Sequence, residues 1–256
     1  MNYLVNYTLH LADNALILGH RNSEWCGHGP VLEQDIAITN ISLDLLGQAR
    51  NFYQYATTLI NKSTNKQNNP ATEDSLAYLR TEREYKNCLL TEQPNGDWAH
   101  TILRQYFFSQ YQHLLFQELQ NSKDEQLAAI AVKSLKEVTY HLRWSSEWVI
   151  RLGDGTEESH SRMMSAIEDT WRYTGEFFQN TEYELNCIKN SIAPDVTALH
   201  EPWMKKVDEV FSEATLTMPE KIFMQTGGKN GIHSEHLGYI LTEMQYLQRT
   251  YPGAEW

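Results

Sequence analysis

The sequence has no apolar run of roughly eighteen residues, so it offers no helix for crossing a membrane. Its cysteines number only three, Cys26, Cys88 and Cys187, with no CxxC spacing. That leaves no disulfide scaffold and no zinc ribbon, and it predicts reduced thiols in a cytoplasmic protein. Basic residues are also short: 21 Lys and Arg stand against 33 Asp and Glu, a net charge of −12. Nucleic acid and anionic membrane are therefore not expected partners, since both require a positive footprint. GxSxG, GxGxxG and a catalytic-cysteine signature are all missing, which removes the usual hydrolase and dinucleotide readings. The opening MNYLVNYTLHLADNALILGHRN has no basic leader and no small-residue cleavage site. With Asp13 inside its apolar run, it is expected to be the first helix of the fold, not a signal peptide.

What the sequence does have is helical periodicity. From Val31 to Ile60, apolar residues recur at Ile38, Ile41, Leu45, Phe52, Ala56 and Leu59, in steps of three, four and seven that keep one helix face. Gln48 interrupts this seam one turn after Leu45. A second long stripe runs through Leu127, Ala131, Ser134, Val138, His141, Trp148 and Leu152. Aligning DLLGQAR (44–50) with EVTYHLR (137–143) places Leu45 against Val138 and Gln48 against His141. In di-iron four-helix bundles, Glu-x-x-His fills those two positions on each of two helices, and one Glu comes from each of the other two. Here the motifs read Leu-x-x-Gln and Val-x-x-His.

The remaining elements complete such a frame. Helices are predicted at about 3–20 and 98–119, giving two hairpins joined by one long crossover through residues 61–97, the ferritin-like topology. The crossover holds an asparagine-rich linker at 61–69 and a shorter helix at about 73–90. Asp97 is the expected N-cap of the helix starting at Trp98, and Ser122-x-x-Glu125 the expected capping box of the next. Further helices are expected at about 156–178, 203–214 and 234–249, with an irregular stretch at 180–202. The fold class is thus all-α: a single ferritin-like domain with a core bundle at 3–152 and a helical extension at 153–256.

The helix at 98–119 has no Asp or Glu from Trp98 through Gln117, and the first helix offers only Asp13. Asp44 and Glu137 each lie one residue off the ligand position, about 100° round the helix. They are expected to form surface ion pairs. The set Leu45, Gln48, Val138 and His141 therefore reads as a vestigial metal site, with no catalytic, cofactor-binding or metal-binding residue in this chain. Gln48 and His141 are expected to replace the metal with a small polar network, aided by the hydroxyl of Tyr106 or Tyr140. Trp25, Cys26 and His28 lie in a Gly-rich loop too sparse for a metal cluster. His233 and His236, spaced i and i+3, lack the HExxH pattern. The turn Gly227–Gly231 with Lys229 is a plain loop or an anion-binding nest.

The strings EWCGHGP, LDLLGQARNF, LLTEQPNGDWAHTILRQYF, KEVTYHLRWSSEWVIRLGDGT, TGGKNGIHSEHLG and EMQYLQR make nearly the whole chain resemble one family. It is the family of structural subunits of bacterial phenylacetyl-CoA 1,2-epoxidases, the multicomponent monooxygenases of aerobic phenylacetate degradation. The resemblance implies a non-catalytic subunit, paired in a hetero-oligomer with a homologous catalytic subunit that carries the di-iron centre. Electrons would come from NADPH through a flavin and iron–sulfur reductase. Leu45, Gln48, Val138 and His141 match the degenerate positions of such a subunit. Two alternatives remain on the residues alone: a stand-alone ferritin-like metal-binding oxidase, and a CoA-binding helper whose Lys229 loop touches phosphate.

Overall fold

The computed structural model describes residues 2–64, 70–219 and 222–254. Every regular element among them is helical, in the all-α class expected of a ferritin-like fold. No helix among the described residues is long and apolar enough to cross a membrane. The chain forms two compact units, one of residues 1–94 with 227–256 and the other of residues 95–226. Residues 153–256, expected as one extension, are thus divided between them.

The first unit is built on a hairpin of α1 (Asn2–Ser23) and α2 (Leu32–Thr64). The α2 seam is buried at Ile38, Ile41, Leu45, Gln48, Phe52 and Ala56. Gly19 lets the two helices approach closely, because a Cβ there would sit 3.3 Å from Leu45 Cβ. Most of the asparagine-rich linker, residues 65–69, lies outside the described residues. The helix expected at 73–90 is broken into α3 (Glu73–Tyr78), a 3₁₀ turn at Glu82–Glu84 and α4 (Leu89–Glu92). The break has a cause in α1, whose polar side chains satisfy the backbone that a helix would have paired internally. Asn14 Oδ1 accepts from Cys88 N at 2.8 Å, an Asp13 oxygen accepts from Lys86 N at 2.8 Å, and His10 Nδ1 lies 2.7 Å from Lys86 O. Spaced at 10, 13 and 14, the three residues share one helix face. The unit closes with α10 (Glu235–Thr250), buried through Leu237, Ile240 and Leu241.

The second unit rests on α5 (Trp98–Leu119) and α6 (Glu125–Gly153). Asp97 caps α5 as expected, accepting from His100 N. The expected Ser122 box does not form. Asp124 is the N-cap, accepting from Leu127 N at 3.0 Å, while Ser122 Oγ donates to Ile192 O. The buried face of α6 follows Val138, His141, Ser145 and Val149, so the stripe ends on Ser145 and Val149 instead of Trp148 and Leu152. The long helix expected at 156–178 is α7 (Glu157–Thr170) followed by two 3₁₀ turns. Within the stretch expected to be irregular lies α8 (Glu182–Lys189). It starts on a full capping box, in which Thr181 Oγ1 accepts from Glu184 N and the Glu184 carboxylate accepts from Thr181 N. Then comes α9 (His200–Glu213).

An aromatic cluster seats these shorter elements on α5. The Phe107 ring lies 5.6 Å from Trp171, 5.7 Å from Trp203 and 6.0 Å from Phe211. Trp203 Nε1 also donates to Phe107 O at 3.1 Å, so the indole is held at both its apolar face and its polar edge.

Candidate functional site

The four positions expected to form a vestigial site are all interior. Leu45 and Gln48 lie on the buried face of α2, Val138 and His141 on that of α6, each at 1 % exposure or less. Asp44 and Glu137, one residue earlier on each helix, are half-buried. Neither tyrosine proposed to join the polar network is available to it. Tyr106 directs its hydroxyl to Lys206 O at 3.2 Å, and Tyr140 is exposed on the flank of α6.

Asp13, the other candidate ligand, is fully buried and already engaged. Its Oδ1 pairs with Arg80 Nη2 and accepts the Tyr53 hydroxyl; its Oδ2 accepts from Arg80 Nη1 at 3.0 Å and from Lys86 N. The Arg80 guanidinium stacks 4.2 Å from the centre of the Tyr85 ring. Burial works against the charge on Arg80, but the adjoining carboxylate more than offsets it, so the guanidinium stays protonated. Burial pushes the Tyr53 hydroxyl well above its ordinary range, with Asp13 adding to the effect, and it pushes Tyr85 up to about 12. Both phenols are neutral donors here. A carboxylate neutralised by a guanidinium within contact is a structural ion pair.

A di-iron pair of the bundle type takes four carboxylates and two imidazoles. At the corresponding positions this chain supplies the hydrocarbons of Leu45 and Val138, the Gln48 amide, the His141 imidazole and an Asp13 carboxylate held by Arg80. That donor set does not fit two irons. Among the described residues, no cluster of three or more His, Cys, Asp or Glu could hold a metal ion.

Sequence reading missed a second buried polar centre, formed around Glu92. Its carboxylate accepts from His233 Nδ1 at 2.8 Å, Asn87 Nδ2 at 2.8 Å, Ser234 N at 2.7 Å and Ser234 Oγ at 2.8 Å. The Glu92 carbonyl accepts from Arg21 Nε and Nη2, both at 3.0 Å. His233 and His236 do not converge. The first turns to Glu92, while His236 accepts a 3.4 Å contact from Arg21 through its carbonyl. Only the exposed-looking HSEH string marked this region in the sequence; Glu92, 141 residues away, carried no local signal.

The Gly227–Gly231 turn faces the protein interior. The amides of Asn230, Gly231 and Ile232 donate to carbonyls within the turn itself, so those N–H groups do not form an anion nest. A Cβ at Gly228 would lie 2.3 Å from Asn87 O, and one at Gly231, where φ is +80°, 2.3 Å from Arg83 O. Glycine is needed at both places for the close approach. Lys229 is buried, only 1 % exposed, and so is not poised to meet a phosphate at the surface. None of the three cysteines is in a disulfide: Cys26 is exposed, whereas Cys88 and Cys187 are buried. Burial raises the Cys187 thiol to about 12, which makes it inert.

Comparison with known proteins adds two findings. A family model described as phenylacetic acid catabolic protein matches residues 1–256. The chain is also 49 % identical, over the full length of both sequences, to a protein of Escherichia coli (strain K12) described as one of the subunits of 1,2-phenylacetyl-CoA epoxidase.

Proposed function

The chain belongs to the phenylacetic acid catabolic protein family, and from that premise we propose that it is the non-catalytic subunit of a phenylacetyl-CoA epoxidase. The observation that carries this reading is identity of 49 % across the whole of both chains with the Escherichia coli epoxidase subunit. In this role the chain binds no iron and works in the cytoplasm. It pairs with a homologous subunit that carries the di-iron centre, and a reductase with flavin and iron–sulfur centres delivers electrons from NADPH.

Two features support the assignment. The Asp13 carboxylate, the one acidic side chain of α1, is neutralised by Arg80 and serves the fold. The outer face of α2 exposes Leu32, Ile36 and Leu43, between 52 % and 70 % accessible; such a stripe favours a chain that is covered by a partner. Neither the stand-alone oxidase nor the CoA-binding helper has comparable support, since the first needs free carboxylates and the second an accessible Lys229.

Reconstitution tests the proposal. The chain and its homologous di-iron subunit are purified separately and assayed with reductase, NADPH, O2 and phenylacetyl-CoA. Epoxidation is expected only when both are present, with a stable complex in gel filtration. Turnover by this chain without the other subunit would refute the non-catalytic role, and failure to form a complex would refute the pairing.

A further inference from the structure

The Glu92 centre holds a histidine in an arrangement that only one protonation state can satisfy. His233 Nδ1 faces the Glu92 carboxylate at 2.8 Å, and its Nε2 faces the Tyr85 carbonyl at 3.0 Å. Both partners are acceptors without a proton to give. A neutral imidazole carries one N–H and can serve only one of them, whereas an imidazolium serves both. Neither the His233 nor the Glu92 side chain has any exposure, so bulk solvent does not reach the imidazole to supply a missing donor.

The pair also has leverage. The peptide between Tyr85 and Lys86 is held on its carbonyl side by His233 and on its N–H side by Asp13. Asp13 is in turn paired with Arg80, so one polar chain runs from Arg80 to Glu92 through that peptide. Glu92 also takes the N–H and hydroxyl of Ser234, the residue preceding α10. His233 and Ser234 thus seat the returning segment, residues 227–254, on α4.

We propose that His233 is a proton-operated clasp: doubly protonated it bridges Glu92 to Tyr85 and seats the returning segment, and loss of one ring proton leaves one acceptor without a donor and loosens that seat.

The carboxylates of Glu92 and Asp13 favour the protonated form, while the cations around them oppose it. α1 contributes Asp13 on one side and Arg21, itself paired with Glu24, on the other. The segment before α4 brings Arg80 and Lys86, and the adjoining turn brings Lys229. The start of α10 adds Glu235 and His236. Burial lowers the affinity of His233 for its second proton, but the bonds to Glu92 and Tyr85 outweigh it, and its pKa lies above the ordinary imidazole value. A raised folded-state value means that the clasp contributes fully below the unfolded pKa. Its contribution is lost as pH rises through the folded one.

Hydrogen exchange of the full-length chain, corrected for intrinsic rates between about pH 6 and about pH 9, reads the clasp directly. Protection of α10 is expected to fall about tenfold as pH rises through the His233 transition, the factor that goes with one lost charge-assisted hydrogen bond. Glu92→Gln should move that transition to lower pH, because a neutral amide no longer favours the imidazolium. His233→Gln should leave α10 loosely protected at every pH. If either variant fails to fold, nitrogen NMR of the wild-type ring decides, with both ring nitrogens of His233 protonated at neutral pH. A single protonated nitrogen there, or α10 protection in the wild type that is flat across the range, overturns the proposal.

Discussion

The two compact units fasten short segments to a long helical hairpin by different chemistry. In residues 1–94 with 227–256, the fasteners are buried ions and amides. Asp13 grips Arg80 and the Lys86 N–H, Asn14 grips the Cys88 N–H, and Glu92 grips His233 and Ser234. In residues 95–226 they are rings, with Phe107 among Trp171, Trp203 and Phe211, and Tyr111 stacked on Phe177 at 4.7 Å. The difference teaches where irregular backbone is tolerated. Segment 79–93 alternates short helical turns with non-helical backbone and is buried at many positions, so its unpaired peptide groups need partners of fixed geometry, which side-chain ions and amides supply. The segments in the second unit are mostly helical and need only apolar contact, which is less directional.

Arg80→Met should do the most damage in the first unit. It leaves the Asp13 charge buried without its cation and is expected to cost ~3–5 kcal/mol in urea unfolding. Adding Asp13→Leu in the same chain should recover part of that loss, since both charges are then gone. No recovery in the double variant would mean that packing around Arg80, and not its charge, holds the segment.

Trp203→Ala should cost a similar ~3–5 kcal/mol in the second unit, by cavity formation and loss of the Phe107 carbonyl's partner. The comparison is sharpened by pH. The Trp203 loss should be the same at pH values either side of neutrality. A pH-dependent Trp203 effect would break the proposed division between ionic and aromatic fastening.

Thr181→Ala, which removes the capping box of α8, is expected to cost about 1 kcal/mol. His100→Gln should have the smallest effect, below ~1 kcal/mol because the site is partly open to solvent. His100 links Asp97 at 2.7 Å to Asp169 at 3.1 Å. Partial burial opposes its charge, yet the two carboxylates raise its pKa above the ordinary value. Its contribution is therefore present in full below the unfolded pKa and fades as pH rises through the folded one. A thermal-melt difference between wild type and variant that grows with pH would contradict this sign.

Local signals in the sequence were legible, and long-range polar pairing was not. Helix α5 spans Trp98–Leu119 as its periodicity and the Asp97 cap imply. The break between residues 78 and 89 was invisible, because its cause lies on α1, about 70 residues away, in side chains that read as an ordinary first helix. Ser122 and Asp124 show how close competitors mislead: both suit an N-cap, and the carboxylate nearer to α6 takes the role. The α8 box was in plain view as Thr181-x-x-Glu184, but no strong apolar stripe accompanied it to draw attention. The candidate site divided in the same way. The hydrocarbons at Leu45 and Val138 could be read from motif spacing, whereas the engagement of Asp13 by Arg80 required the fold.

Iron content of the isolated chain bears most directly on its proposed role. The purified protein, expressed with iron in excess, is assayed by elemental analysis and by its optical spectrum. With Leu45 and Val138 in place of carboxylates and Asp13 held by Arg80, no stoichiometric iron is expected. About two irons per chain, the content of a bundle-type di-iron site, would contradict the assignment of this chain as the metal-free subunit.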